Sequence, residues 1–416
     1  MERHGELRRG WLLIVSSCAG VVCSSIVLPY YSIGALVIPV TSEFGWTRSQ
    51  FQVAILFSSG LGALTAPVIG WLSDRYGVRR LALPGLVGLS IGFLIAASMN
   101  GQLWMLYLAY GGMALLGAGT IPVTWTRAIT TNFFERRGLA LGLTLTGTGI
   151  CAMLVPHYAV WLVEEFGWRI AYVGLALLPL ILAGPVVFFG FKPKEQVARL
   201  DLASAQGVWG FTLTEALRKY RFWVLMLSIL AVYMAFSGIS PNLIPALTDE
   251  GMTTSEAATV MSVYGGSIIF GRVAVGYLVD RFWAPGVSMA AMSLPVIGCL
   301  ILVDVTSVLW AATAVFLIGF AAGAELDLMS FLAAKYFGLR HYAKIYSILY
   351  MSLAICSGTA PMLFARVYDV TSNYDIGFYV ATGLFAFGAL VVLTLGRYPD
   401  NVTSRSAHAA EPAGAG

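Results

Sequence analysis

The chain has 416 residues, of which 58% are hydrophobic and 11% charged, with a formal net charge of +4. Soluble globular domains carry about a quarter charged residues, so this composition excludes one, and no nucleic-acid partner is expected. A helix that spans a bilayer needs about 20 predominantly apolar residues, and about twelve such segments can be marked off.

In chain order they fall at 11–40, 50–73, 81–99, 103–128, 138–162, 169–191, 222–247, 256–279, 285–303, 307–333, 344–367 and 374–396. A transmembrane barrel would show short alternating segments instead, so the expected fold is an all-α polytopic membrane protein. The first segment is too long for the apolar core of a signal peptide and lacks a clear cleavage site, which makes it a retained helix. Pro29 is where that helix can break, presenting Tyr30 and Tyr31 inward. His157, near one end of the fifth segment, reads as structural or interfacial. All five cysteines (Cys18, Cys23, Cys151, Cys299 and Cys356) lie in apolar segments and read as small core residues, with no metal cluster and no cofactor.

The cations lie on one side. Arg3, Arg8 and Arg9 precede the first segment; Arg75, Arg79 and Arg80 follow the second, and Arg136 and Arg137 the fourth. Lys192, Lys194, Arg199, Arg218, Lys219 and Arg221 separate the sixth from the seventh, and Lys335, Arg340 and Lys344 the tenth from the eleventh. The opposite loops hold little beyond Arg48, Arg169 and Arg366. The positive-inside rule then puts both termini in the cytoplasm of a cell (inner) membrane protein. Asn401-Val-Thr403 matches a glycosylation acceptor, but this topology leaves it in a cytoplasmic tail.

Residues 39–75 recur in one ungapped register. Pro39, Gly45, Thr47, Ser49, Gly60, Gly70, Leu72, Asp74 and Arg75 match Pro245, Gly251, Thr253, Ser255, Gly266, Gly276, Leu278, Asp280 and Arg281, while Glu43 meets Asp249. The expected organisation is two parallel six-helix halves, 1–191 and 222–396, joined by a linker at 192–221 and followed by a tail at 397–416. Halves related in this way place a solute site between them near the midplane.

Gly70-Trp-Leu-Ser-Asp74-Arg75-Tyr-Gly77-Val-Arg79-Arg80 resembles the loop signature of the major facilitator superfamily, and Gly276-Tyr-Leu-Val-Asp280-Arg281 resembles a decayed second copy. The resemblance implies a cytoplasmic gate made by Gly70, Asp74, Arg75, Gly77, Gly276, Asp280 and Arg281, with Arg127 as a partner for the Asp74 loop. The glycine would let helices approach closely. Glu43-Phe-Gly-Trp-Thr-Arg-Ser49, Phe270-Gly-Arg272 and Tyr336-Phe-Gly-Leu-Arg340 are similar to the monocarboxylate-transporter and oxalate–formate-antiporter group. That group implies small organic anions as substrates; a monomer in the lipid bilayer, with protons as the coupling ion, is the expected setting. The chain departs from it in three places. The first segment has Tyr30 and Tyr31 where proton-coupled relatives have a lysine; Ile268 stands where they have an acid; and no lysine lies within the eleventh segment. Oxalate is therefore not expected, and proton coupling has to be argued from this chain's own residues.

Three charges lie at membrane depth: Arg272, eight residues before Asp280, and Glu325 and Asp327 in the otherwise apolar tenth segment. Each costs on the order of 2.5–3.5 kcal/mol at the bilayer centre, so they must be paired, protonated or facing water. The guanidinium of Arg272 suits a carboxylate. Glu325 and Asp327 point about 200° apart on a helix, so one faces Arg272 or the pathway and the other a neighbouring helix. A buried carboxyl is a natural proton carrier, and the sequence leaves open which acid does this. Tyr346 and Tyr350 share a face of the eleventh segment; with Tyr30, Tyr31 and Asn242 they are candidate cavity-lining residues.

The expected function is secondary transport of a small monocarboxylate-type anion, coupled to protons, by alternating access. Proton-driven efflux of a cationic or lipophilic compound, with an acid of the tenth segment as the cation site, and anion exchange are the alternatives. Gly147-Thr-Gly149-Ile-Cys151 lacks the glycine–proline signature of many antiporters. No nucleophile triad, metal-ligand spacing or phosphate loop suggests an enzyme.

Overall fold

The computed structural model describes residues 5–133, 137–191, 209–338 and 340–398. The tail with Asn401 and residues 192–208 of the linker lie outside the described residues. The helices are α1 (Gly5–Val22), α2 (Val27–Phe44), α3 (Arg48–Tyr76), α4 (Val78–Ala97), α5 (Leu103–Leu116), α6 (Pro122–Asn132), α7 (Arg137–Phe166), α8 (Trp168–Leu178) and α9 (Gly184–Gly190). They continue with α10 (Leu213–Leu217), α11 (Tyr220–Asp249), α12 (Thr254–Val279), α13 (Ala284–Val303), α14 (Val308–Phe337), α15 (Tyr342–Thr371) and α16 (Asp375–Leu393). Among the described residues, 11 stretches are long and apolar enough to cross a membrane, and Leu103–Leu116 is a shorter apolar helix. The chain is all-α and crosses the membrane many times.

Three of the expected segments are broken, each for a visible reason. The first breaks between Val22 and Val27, one turn before the Pro29 break expected from the sequence. Pro29 sits instead in the first turn of α2, where a missing N–H leaves no intrahelical bond unmade. The fourth breaks between α5 and α6 at a 3₁₀ turn, Ala118–Thr120. The two breaks serve each other: Ser25 donates its backbone N–H to Thr120 Oγ1 at 3.0 Å. Irregular backbone inside a bilayer needs such a protein partner. The sixth passes from α8 to α9 through a π-helical turn at Pro179–Ala183.

Two large apolar cores form among the described residues. One runs from Leu13 to Phe191 around Trp125, Tyr110 and Tyr172; the other is built mainly of residues between Ala216 and Leu395 around Phe222, Tyr336 and Phe385. α2 packs on α11, α3 on α15, and α7 on α12 across the two. Polar links between the cores gather toward the end of the bundle that carries Arg48. Ser59 and Ser357 hydroxyls lie 3.2 Å apart, Gln52 Nε2 donates to Asn242 Oδ1 at 3.2 Å, and Ser262 donates to the Met153 carbonyl at 2.6 Å.

The two acids matched in the repeat have diverged. Glu43 ties Arg169 at 2.8 Å and accepts from the Trp168 indole at 2.6 Å, so it braces helices of its own core. Asp249 instead reaches across to Arg48 on the other core.

Candidate functional site

The site begins with glycines that let two backbones touch. α14 carries Gly319-Phe-Ala-Ala-Gly323, a spacing that lines up small residues on one face. A Cβ on Gly323 would stand 2.0 Å from the Ile268 carbonyl oxygen, and one on Gly271 1.9 Å from that of Phe320. Only glycine permits this approach, and it brings the charged residues of α12 and α14 together.

Arg272 is 8% exposed, and its Nε lies 3.3 Å from Asp327 Oδ2 and 3.3 Å from the Gly323 carbonyl. Its Nη1 is buried with no hydrogen-bond partner. The Asp327 side chain is 44% exposed, so the pair is buried on the cation side and open on the anion side. This resolves the choice between the two acids: Asp327 is the partner of Arg272. Glu325 points elsewhere, is 2% exposed, and its Oε1 bonds to nothing. Tyr30, Tyr233 and Tyr264 lie within electrostatic reach of its carboxyl.

Two groups of tyrosines have members near these acids. Tyr342, Tyr346 and Tyr350 stack in succession along α15, with centroids 5.4 Å and 6.2 Å apart, and Tyr346 lies within reach of Asp327. Tyr30 and Tyr31 meet edge to face at 5.1 Å, and Tyr30 donates to the Ser237 carbonyl at 3.4 Å. Tyr233 and Tyr264 belong to the same group, yet nothing in their local sequence sets them apart from packing residues.

Asn242 does not face this group as a free amide. It is fully buried, its Nδ2 donates to the Gly238 and Pro361 carbonyls, and its Oδ1 accepts from Gln52. Its polar atoms are spent joining helices, which corrects its expected role in lining a cavity.

At the opposite end, Gly77 ends α3 with φ +82°, a conformation that favours glycine. Arg75 lies over the Trp71 and Tyr76 rings at 5.7 Å and 5.6 Å, and Arg281 over Tyr277 at 4.1 Å. Asp280 is exposed at the end of α12, and Arg127 is half-buried on α6. The Asp74 side chain lies outside the described residues. A Cβ on Gly70 or Gly276 would meet nothing within 4 Å, so neither glycine marks a close helix approach in this structure, contrary to expectation.

The Major Facilitator Superfamily model matches residues 10–361. Bovine monocarboxylate transporter 13 is 28% identical, with 89% of this chain and 88% of that protein covered. The uncharacterized MFS-type transporter YhjX of Escherichia coli is 25% identical over 74% of this chain and 76% of its own. A solved bacterial homologue of the human lysosomal transporter Spinster, in an inward-facing and occupied conformation, superimposes with a TM-score of 0.68. It is 17% identical and covers 95% of this chain and 98% of its own, which shows a shared fold. A family match of that extent, on a helical membrane fold shared from end to end, means that this chain belongs to the Major Facilitator Superfamily and is a transporter, not an enzyme.

Proposed function

We propose that the chain is a proton-coupled carrier of a small monocarboxylate, working as a monomer by alternating access in a cell membrane with both termini cytoplasmic. The observation that carries this reading is the Arg272–Asp327 pair: a buried guanidinium with one free nitrogen, held by a single contact to a half-exposed acid. An incoming carboxylate takes the place of Asp327 on Arg272, and the displaced acid takes a proton. For a monoanion one negative and one positive charge load together. A membrane potential, worth about 2.3 kcal/mol per charge per 100 mV, then hardly acts on the step, while a pH gradient drives it. Resemblance to monocarboxylate transporters agrees with the substrate class.

The other proposed parts follow from placement. Tyr30, Tyr31, Tyr346 and Tyr350 give the solute an amphipathic wall. Gly70, Asp74, Arg75, Gly77, Arg127, Gly276, Asp280 and Arg281 form the cytoplasmic gate. Glu325, the other candidate coupling acid, costs far less protonated than ionised with an unbonded oxygen at that depth, and it keeps its proton through the binding step, so Asp327 carries the proton that is coupled.

The test is uptake of labelled acetate, lactate, pyruvate and benzoate into proteoliposomes, with a pH gradient or a voltage imposed separately. The pH gradient should drive accumulation and the voltage should not, and Arg272→Ala should abolish it. Normal accumulation by Arg272→Ala would overturn the reading. A second reading, efflux of a cationic compound, rests on Glu325 among tyrosines, a setting that suits a cation. It predicts proton-driven export of tetraphenylphosphonium that Glu325→Gln abolishes.

A further inference from the structure

At the Arg48 end the two cores are fastened by one compact cluster. Arg48 is the first residue of α3, and all of its side-chain partners belong to the other core. Nη1 and Nη2 donate to Asp249 Oδ2 and Oδ1 at 2.5 Å and 2.9 Å, a two-pronged contact with the carboxylate at the end of α11. Nη1 also donates to the Tyr374 hydroxyl at 3.1 Å, and the guanidinium lies 3.7 Å from the centre of the Tyr368 ring.

The backbone joins in. A helix leaves its first N–H groups without intrahelical partners. In α3 the Gln50 N–H is taken by the side chain of Thr47, its own cap. The two before it, on Arg48 and Ser49, are taken by Asp369 of α15, Oδ1 and Oδ2, each at 3.1 Å. Asp369 therefore caps a helix of the opposite core, where the positive end of the helix favours a carboxylate. One rigid separation of the cores releases Asp249, Asp369, Tyr368 and Tyr374 together.

We propose that Arg48, Asp249 and Asp369 are the outer gate of the transporter, and that its strength sets how much of the resting population is closed to the outside. The proposal rests on the alternating access and topology of the reading above, not on its substrate. Three features fit a gate better than a permanent weld. The cluster sits at the mouth, where the Arg48 and Asp249 side chains keep 12% and 25% exposure, so water can replace the lost hydrogen bonds. Its bonds are side chain to side chain or side chain to a helix end, so they break without unfolding any helix. The Glu43 position, its counterpart in the repeat, braces a single core and so stays intact when the cores part.

The test uses the full chain, freed of its native cysteines, with spin labels at exposed Ser42 and Asn373 across the outer mouth and at Gly138 and Lys344 across the opposite one. Distances are measured with no substrate present, so the outcome does not depend on which solute is carried. Arg48→Gln should raise the outward-open population at least tenfold, lengthening the Ser42–Asn373 distance while shortening Gly138–Lys344. Asp369→Asn keeps the shape of the side chain and should shift the same distances in the same direction. Distance distributions unchanged from wild type in both variants would overturn the proposal. So would a broadening at both mouths at once, which signals loosened packing and not a gate.

Discussion

Replacing Asp327 by asparagine separates the displacement mechanism from a purely structural ion pair. In the structure the acid lies 3.3 Å from Arg272 Nε, with the cation 8% exposed and the acid side chain 44% exposed. Two unit charges about 4 Å apart attract by about 1 kcal/mol in water and about 4 kcal/mol near a protein surface. Discounting for the open side of the acid leaves on the order of 1–2 kcal/mol. If a carboxylate must displace Asp327 to reach Arg272, that attraction opposes binding. Asp327→Asn should therefore tighten binding, lowering Kd by about 5- to 30-fold at about 1.4 kcal/mol per tenfold. The pH dependence should vanish at the same time. Wild-type binding takes up a proton, so its apparent affinity falls as pH rises, by up to about tenfold per unit for one proton; the asparagine cannot titrate, and its affinity stays flat. Equilibrium binding of the best-transported labelled monocarboxylate over a pH series reads both effects, and pH-driven accumulation in proteoliposomes should be lost while counterflow persists. Weaker binding together with an intact pH response would refute the displacement argument.

Further expectations bear on other parts of the molecule. Arg272→Lys keeps the charge but loses the planar fork, so carboxylate Kd should rise at least tenfold by the same binding assay. Gly271→Ala places a methyl 1.9 Å from the Phe320 carbonyl oxygen; α12 and α14 must part, so thermal stability of the purified protein should fall by about 1–3 kcal/mol and transport with it. Asp74→Asn should slow transport while leaving substrate affinity within a few-fold, and a loss of binding equal to that of Arg272→Ala would contradict a gating role. A reporter fused after Arg75 should be cytoplasmic and one fused near Trp46 or Glu164 external, with any inversion removing the proposed topology.

What was legible in the sequence follows from which interactions are local. Apolar runs announce membrane helices because lipid forces every residue of a span to be compatible with it. The isolated charges Arg272, Glu325 and Asp327 stand out for the same reason. Which acid meets Arg272 was not legible from charge alone, because two residues on one helix point apart and the answer depends on which face packs on α12. That face is marked by Gly319 and Gly323, whose spacing was available to reading but carries no charge to draw the eye. Pro29 misled because a proline near a break can lie just inside the following helix, where its missing N–H does no harm.

The outer cluster was illegible for a different reason. Arg48 meets Asp249, Asp369 and Tyr374 across separations of 201, 321 and 326 residues. No local pattern can express such a meeting, and each residue taken alone reads as an ordinary charge or aromatic ring at a membrane face. The repeat even argues against it, since it pairs Asp249 with Glu43, whose own partners lie in its own core. Symmetry in sequence sets equivalent positions at equivalent depths, but it does not set which neighbour each finds. A transporter needs that freedom, because a contact kept within one core, like that of Glu43, cannot hold a mouth shut, whereas one made across the cores, like that of Asp249, can.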